Sequence, residues 1–331
     1  MASSKIFVIG GAGYIGAHTV KELVKSGYNP IVIDNFSTGH RSFCKFGEYC
    51  DLDITNKDAL KEVFEKHKPA AVIHFAAHTN VGESVIDPKK YYDNNIVGTL
   101  NLLGVMLEQN IKSLVFSSSC AVYGVPQIIP ISEKEKKDPI NPYGFTKYVV
   151  ERALEDYGAA YGIRSVCLRY FNAAGADPAG EIGELHDPET HLIPLILESA
   201  AELRKDFTIF GDDHPTPDGT CIRDYVHVLD LATAHVAALK HLEMHGESLL
   251  LNLGTGVGYS VKQVLTAAMK VTGKNIPYKI GLRRAGDPPS LIANPEKAKE
   301  ILKWEAKNKN LEIIIEHAWK WLLQQKNQAL N

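Results

Sequence analysis

The sequence predicts an α/β fold built on a doubly wound parallel sheet, and three observations carry that prediction. Short apolar runs recur without polar interruption, as expected of strands buried on both faces. Longer segments with apolar residues at helical spacing separate them. A glycine cluster, GGAGYIG, lies between the first apolar run and the first helical segment, where such sheets place a tight strand-to-helix turn.

Taken in order, strands are expected over residues 5–9, 30–34, 71–75, 113–117 and 164–169, with helices over 14–26, 57–66, 88–108 and 143–161. Strand, helix, strand in steady alternation is the signature of crossover connections to a parallel sheet. From about Asn172 the rhythm changes. GADPAGEIGELHDPETH and FGDDHPTPDGT are rich in Gly, Pro and Asp, and ordered loops of that length usually line a binding site. Helices are expected to resume over 192–205, 228–241, 260–272 and 311–326.

Composition narrows the function classes. The chain has 331 residues, and 36 Lys plus Arg against 39 Asp plus Glu leave a net charge of -3. No strong field attracts nucleic acid or an anionic membrane, so neither is expected as a partner. No segment approaches the roughly 18 apolar residues of a transmembrane helix. The apolar run near the N-terminus is short, broken by glycines and preceded only by Lys5, which reads as a buried strand rather than a signal peptide. Cys44, Cys50, Cys120, Cys167 and Cys221 are odd in number and form no Cys-x-x-Cys pair, which suits a reducing, cytoplasmic setting. The thirteen histidines show no His-x-x-x-His or His/Cys cluster, so no metal is expected.

Gly10, Gly13 and Gly16 form a G-x-x-G-x-x-G turn. Glycine there permits close approach of a pyrophosphate to the backbone, and the helix N-terminus supplies N–H donors. A plain tight turn is the alternative reading. The second expected strand ends at Asp34, 18 residues after Gly16, where a carboxylate would accept from an adenosine ribose and repel a 2'-phosphate, favouring NAD over NADP. Asp34 would otherwise be a turn former. The ends of later strands, at Asp51–Asp53, His74–Ala77 and Ser117–Ser119, point to the same crevice.

Ser119 precedes YGFTK, in which Tyr143 and Lys147 stand at i and i+4 on one helix face. A phenol is a poor base at neutral pH. A nearby ammonium and an oxidised nicotinamide both favour the phenolate, which suits proton transfer from a sugar hydroxyl held by Ser119. An exposed Tyr/Lys pair arising by chance is the bland alternative. Ser117 and Ser118 read as strand-end packing and cofactor contacts.

GGAGYIGAHT, HFAAHTNVGESV, YYDNNIVGTLNLL, FSSSCAVYG, NPYGFTK, LRYFNAAGADP, HLIP, FGDDHPTPDGTCIRDYVHV and LNLGTG resemble motifs of the extended short-chain dehydrogenase/reductase family, within it the nucleotide-sugar 4-epimerases. The match is spread over nearly the whole chain. The resemblance implies a Rossmann-type sheet with a smaller, interleaved α/β substrate-binding domain. An NAD domain would span 1–172 with a returning segment near 219–245, and 173–331 would mainly bind a UDP-sugar. It implies NAD-dependent 4-epimerisation of UDP-hexoses, interconverting UDP-glucose and UDP-galactose in galactose metabolism, with NAD retained through the cycle.

On the same resemblance, Tyr143 is the base, Ser119 its partner and Lys147 the residue that binds ribose and lowers the tyrosine pKa. Cofactor contacts fall to Gly10, Gly13, Tyr14, Ile15, Gly16, Asp34, Asn35, Asp53, Ile54, Phe75, Ala76, Ala77, Asn94, Ser117 and Tyr170, beside Lys147. Asn172, His191, Leu192, Arg223, Arg284 and Asp287 match positions that hold UDP, the two arginines presenting guanidinium forks to a diphosphate. Without the resemblance, Arg223 reads equally as a structural ion pair and His191 as a turn residue.

Two positions depart from some relatives: Thr79 replaces a lysine that contacts cofactor, and Leu291 stands where a tyrosine restricts sugar size. Leucine is intermediate in bulk, so N-acetyl sugars are expected to turn over weakly or variably. A 4,6-dehydratase would carry an Asp-Glu pair after the strand-end serine, where this chain has Cys120 and Ala121. UDP-pentose or UDP-N-acetylhexosamine epimerisation, and a non-catalytic NAD sensor, remain as rivals. Helices 88–108 and 143–161 are the pair that forms a dimeric four-helix bundle in the family. Val97, Leu100, Leu103 and Leu107 recur at helical spacing either for that contact or for the intrachain core.

Overall fold

The computed structural model describes residues 3–205, 207–284 and 287–329. A parallel sheet of seven strands lies at its centre. β1 (Lys5–Ile9), β2 (Asn29–Asp34), β3 (Glu48–Asp51), β4 (Ala71–His74), β5 (Ser113–Ser119), β6 (Arg164–Tyr170) and the edge strand Leu249–Leu253 lie in the order edge strand, β6, β5, β4, β1, β2, β3. Strand order reverses between β1 and β4, so their carboxyl ends diverge around a crevice. Ile9 pairs with both Ile33 and His74, and Ser119 with Tyr170.

Both faces are covered, as uninterrupted apolar strands require. On one face Val8, Val32 and Val115 pack with Val20 and Leu23 of helix α1 (Tyr14–Lys25) and with Leu231 and Leu239 of helix Val228–His245. On the other, Phe7, Ile33 and Phe116 pack with Leu60 and Phe64 of helix α2 (Lys57–His67), and with Leu103 and Leu154.

The expected strands and helices form, with informative differences at their ends. β5 continues through Ser119 because Ser117 and Ser118, though polar, pair with Leu168 and Arg169 of β6. β3 lacks an apolar run because it is a mostly exposed edge strand. The helix expected over 88–108 divides into Pro88–Tyr91, a π-helical Tyr92–Gly98 and Thr99–Glu108. The widened turn turns Asn95 inward, where it accepts from the His78 N–H and donates to the His78 carbonyl. The helix expected over 192–205 ends at Ala200, and the chain leaves it through Glu202 at φ +61°.

Beyond β6 the chain builds a second cluster around Ile196, Phe207, Ile209, Val264 and Ile314. It also returns to the first. Tyr225–His227 pairs with Asn172–Ala174, helix Val228–His245 lies on α1, and Leu249–Leu253 completes the main sheet beside β6. Among the described residues no helix is long and apolar enough to cross a membrane.

Candidate active site

The crevice at the strand-order reversal opens into a cleft of about 1010 Å3. Gly10 leaves β1 at φ +78°, and a Cβ on it would stand 2.5 Å from the Ala76 nitrogen at the end of β4. Only glycine lets those two strand ends meet. Gly13 is the N-cap of α1 and brings no side-chain cap, so the first N–H groups of the helix face the cleft with their positive dipole end. Asp34 is held in place by the Ala12 N–H at 3.0 Å and the Phe36 N–H at 2.9 Å; burial raises its carboxyl, and those two bonds oppose the rise.

Across the cleft, Asn141 caps helix Pro142–Tyr161 through the Gly144 N–H at 2.8 Å. A Cβ on Gly144 would meet the Ala121 carbonyl oxygen at 2.5 Å, so the absence of a side chain there brings the first helical turn down onto the segment after Ser119. Tyr143 and Ser119 thereby share one wall of the cleft, each only 9% exposed. Burial pushes the Tyr143 phenol upward, and the Ser119 hydroxyl opposes it. Lys147, one turn on, is expected to lower the tyrosine pKa. Its Nζ donates to the Ser117 carbonyl at 2.7 Å and lies 5.9 Å from the centre of the Tyr143 ring. Burial brings Lys147 down to about 7, with Glu151 acting the other way. Tyr170 hydrogen-bonds Ser117 through its hydroxyl, and burial raises it to about 12 against that bond.

Most of the residues expected at the site meet here. Gly10, Gly13, Tyr14, Ile15, Gly16, Asp34, Asn35, Ile54, Phe75, Ala76, Ala77, Asn94, Ser117, Ser119, Tyr143, Tyr170, Asn172, His191, Arg223, Asp287 and Leu291 all line the cleft. Four stand behind it or apart. Asp53 accepts from Asn35 Nδ2 at 2.7 Å and from Thr55, so it orients Asn35 instead of forming the wall. Lys147 lies beneath Ser117. Leu192 opens helix Leu192–Ala200 and packs into the second core. Arg284 is exposed, its guanidinium 4.1 Å from the Phe210 ring centre. Arg223 lines the cleft, where its guanidinium is paired with Asp287 and donates to the Ile222 carbonyl at 2.8 Å.

Sequence reasoning missed two clusters. Glu151 and Arg169 form a buried bidentate pair beneath β5, also holding Ser118 and Tyr123. Glu184, His186, Glu189 and His191 come together at the cleft rim; their E-x-H-x-x-E-x-H spacing contains neither His-x-x-x-His nor a cysteine.

Residues 6–254 match the NAD dependent epimerase/dehydratase family. The chain belongs to that family. Among the family's curated members, the UDP-glucose 4-epimerase of Rhizobium meliloti (strain 1021) is 53% identical over 323 residues, covering 97% of this chain and 98% of the relative. The UDP-glucose 4-epimerase from Brucella ovis, crystallised in complex with NAD, superposes with a TM-score of 0.94 at 51% identity, covering 96% and 98% of the two chains. That of Bifidobacterium longum, in complex with NAD+ and UDP, superposes with a TM-score of 0.93 at 38% identity, covering 98% and 99%.

The residues present fit the family's cofactor. The uncapped helix N-terminus behind Gly13 suits an anionic pyrophosphate, and Asp34 ends β2 beside it, partly satisfied and still facing the cleft. Where a dehydratase of the family would need an acid/base pair, Cys120 and Ala121 line the wall. Thr79 also lines the cleft and offers a hydroxyl where some relatives have an ammonium.

Proposed function

We propose that this chain is an NAD-dependent UDP-glucose 4-epimerase, interconverting UDP-glucose and UDP-galactose. The observation that carries the reading is that Tyr143 and Ser119 line the same cleft as the uncapped turn at Gly10 to Gly16. NAD, when bound, supplies a hydride acceptor that gives the same hydride back, so no net oxidant is consumed. Ser119 holds the sugar 4-hydroxyl, and Tyr143 takes its proton as C4 is oxidised. The 4-keto sugar turns about its diphosphate linkage, and Tyr143 returns the proton after reduction at the opposite face. Lys147, behind Ser117, acts on the phenol through its charge and the cofactor ribose.

Gly10, Gly13, Tyr14, Ile15, Gly16, Asp34, Asn35, Ile54, Phe75 to Ala77, Asn94, Ser117 and Tyr170 hold the cofactor, with Asp53 positioning Asn35. Asn172, His191 and the Arg223–Asp287 pair hold UDP, with Leu192 placing His191 and the exposed Arg284 adding a second guanidinium for the diphosphate. In domain terms 1–172 with the return near 219–245 serves the cofactor, and the edge strand Leu249–Leu253 extends that return; most of 173–331 serves the UDP-sugar. Incubating the purified protein with UDP-galactose and no added NAD should yield UDP-glucose. No reaction even with NAD supplied would sink the proposal.

Leu291 sets sugar size. It is half-buried on the cleft wall, packed against Cys120, Val122 and Phe171. Leu291→Tyr should lower turnover of UDP-N-acetylhexosamines relative to UDP-hexoses by at least about tenfold, the scale of a few methylenes of lost space. An unchanged ratio in paired kcat/KM measurements removes Leu291 from sugar selection.

A homodimer completes the proposal. Leu103 is fully buried in the chain's own core and Leu107 packs on it, whereas Val97 is 48% exposed, Leu100 40% and Phe145 42%. The exposed three suit a four-helix bundle made with a second copy. Light scattering at micromolar concentration should give twice the 36.5 kDa chain mass, and a monomer would refute the contact. The five unpaired cysteines fit a cytoplasmic location.

A further inference from the structure

Of the rim cluster of Glu184, His186, Glu189 and His191, only His191 has a part in the function proposed above, as a UDP contact. One ligand-capable atom from each residue lies within 4.8 Å of all the others. His191 Nδ1 is 2.9 Å from both Glu184 Oε1 and Glu189 Oε1, and His186 Nδ1 is 3.4 Å from Glu184 Oε1 and 3.3 Å from Glu189 Oε2. A nitrogen carrying one proton cannot donate well to two carboxylates at once. The four side chains instead crowd their ligand-capable atoms into one small space, and its carboxylates are only 7% and 6% exposed.

We infer that these four side chains form a binding site for a divalent transition metal, with zinc(II) the ion they fit. Two imidazole nitrogens and two carboxylate oxygens are a usual zinc donor set, and bonds of about 2.0–2.2 Å in a tetrahedron put neighbouring ligand atoms roughly 3.3–3.5 Å apart. Backbone groups and neighbouring side chains help hold the frame. Glu189 Oε1 is oriented by the Thr190 and His191 N–H groups at 2.6 and 2.8 Å, the outer support that metal-binding carboxylates require. Trp321 Nε1 donates to the Glu184 carbonyl at 2.9 Å, and His40 Nε2 contacts the Leu185 carbonyl at 2.9 Å. His191, with its side chain 45% exposed, leaves a way in from solvent. A bound ion would pin the loop after Asn172 against the turn that starts α1, since Tyr14 lies edge-on to His186 with ring centres 6.5 Å apart.

The site shares His191 with the epimerase proposal, yet the two can fail separately: zinc can bind to an inactive chain, and turnover can persist without zinc. The test uses the full-length protein with the nucleotide it retains, stripped by chelator and titrated with zinc chloride by calorimetry, with elemental analysis after dialysis. One tight equivalent is expected, accompanied by a rise in Tm. Affinity should fall at least tenfold in His186→Ala and in Glu189→Gln, while His245→Ala, in the rival pair of rings His241 and His245, should bind as the unmodified chain does. Cobalt(II) added to the unmodified protein reads the geometry without any variant and should give the intense visible bands of four-coordinate nitrogen and oxygen ligation. Absence of a tight equivalent, equal binding in the cluster variants, or the weak bands of six-coordinate cobalt would each overturn the assignment.

Discussion

Tyr143→Phe should lower kcat for UDP-galactose by about 10²–10⁴-fold, the usual worth of a positioned acid/base group. The substitution deletes one oxygen and leaves the ring in its buried place. Nucleotide retention should be unchanged, because Asp34 is held by the Ala12 and Phe36 N–H groups and Gly10 packs on Ala76, none of which involves the phenol. UDP affinity should hold too, since Arg223 and Asp287 support each other without the tyrosine. Separation of the sugar nucleotides after incubation gives the rate, and absorbance of nucleotide released on denaturation gives the retained cofactor. A variant that turns over as fast as the parent would remove Tyr143 as the proton carrier. Parallel loss of turnover and nucleotide would mean that the phenol supports the site's structure and not its chemistry.

The second large effect lies out of sight of the substrate. Arg169 is completely buried, and Glu151 grips it with two bonds of 2.7 and 2.6 Å, Nε to Oε1 and Nη2 to Oε2. Glu151→Ala should cost about 3–5 kcal/mol of stability, because it strands a guanidinium in the core with only the Tyr123 hydroxyl beside it. The Ser118 hydroxyl loses its acceptor as well. Replacing both partners by apolar residues, Glu151→Leu with Arg169→Met, should recover most of that loss. Urea unfolding of the three proteins decides it. A single-variant loss below about 1 kcal/mol would contradict the account, since that is the scale of an exposed pair.

What was legible beforehand follows from where each signal resides. The doubly wound sheet could be read because β1, β2, β4, β5 and β6 are buried on both faces and therefore carry unbroken apolar runs. Of β3 only the end at Asp51–Asp53 could be read, because the strand is exposed and carries no apolar run, and Leu249–Leu253 sits so far from β6 in the chain that no local pattern announces the pairing. At the site, the glycines, Asp34, Ser119 and Tyr143 were legible because their chemistry is tied to short spacings. The orientation of Lys147 was not: i and i+4 put it on the Tyr143 face, but the Ser117 carbonyl captures its Nζ. Arg169 and Glu151 belong to a strand and a helix that meet only in three dimensions. Their charges read as surface in a sequence, and the buried pair emerges only from the packing.

The pairing of Leu249–Leu253 with β6 also sets an order of assembly. While the chain is being synthesised, the cofactor half can collect its helices, but the outer edge of β6 stays unpaired until residue 253 has emerged. Until then that edge, from Val166 to Tyr170, is an open template for any other extended chain. The later segments act as the nascent sheet's own chaperone: the strand that caps it arrives only after the segment lining the other side of the cleft has been made. A gene fragment ending near residue 172 would carry nearly all of the cofactor-side residues and still lack the strand that keeps its sheet to itself.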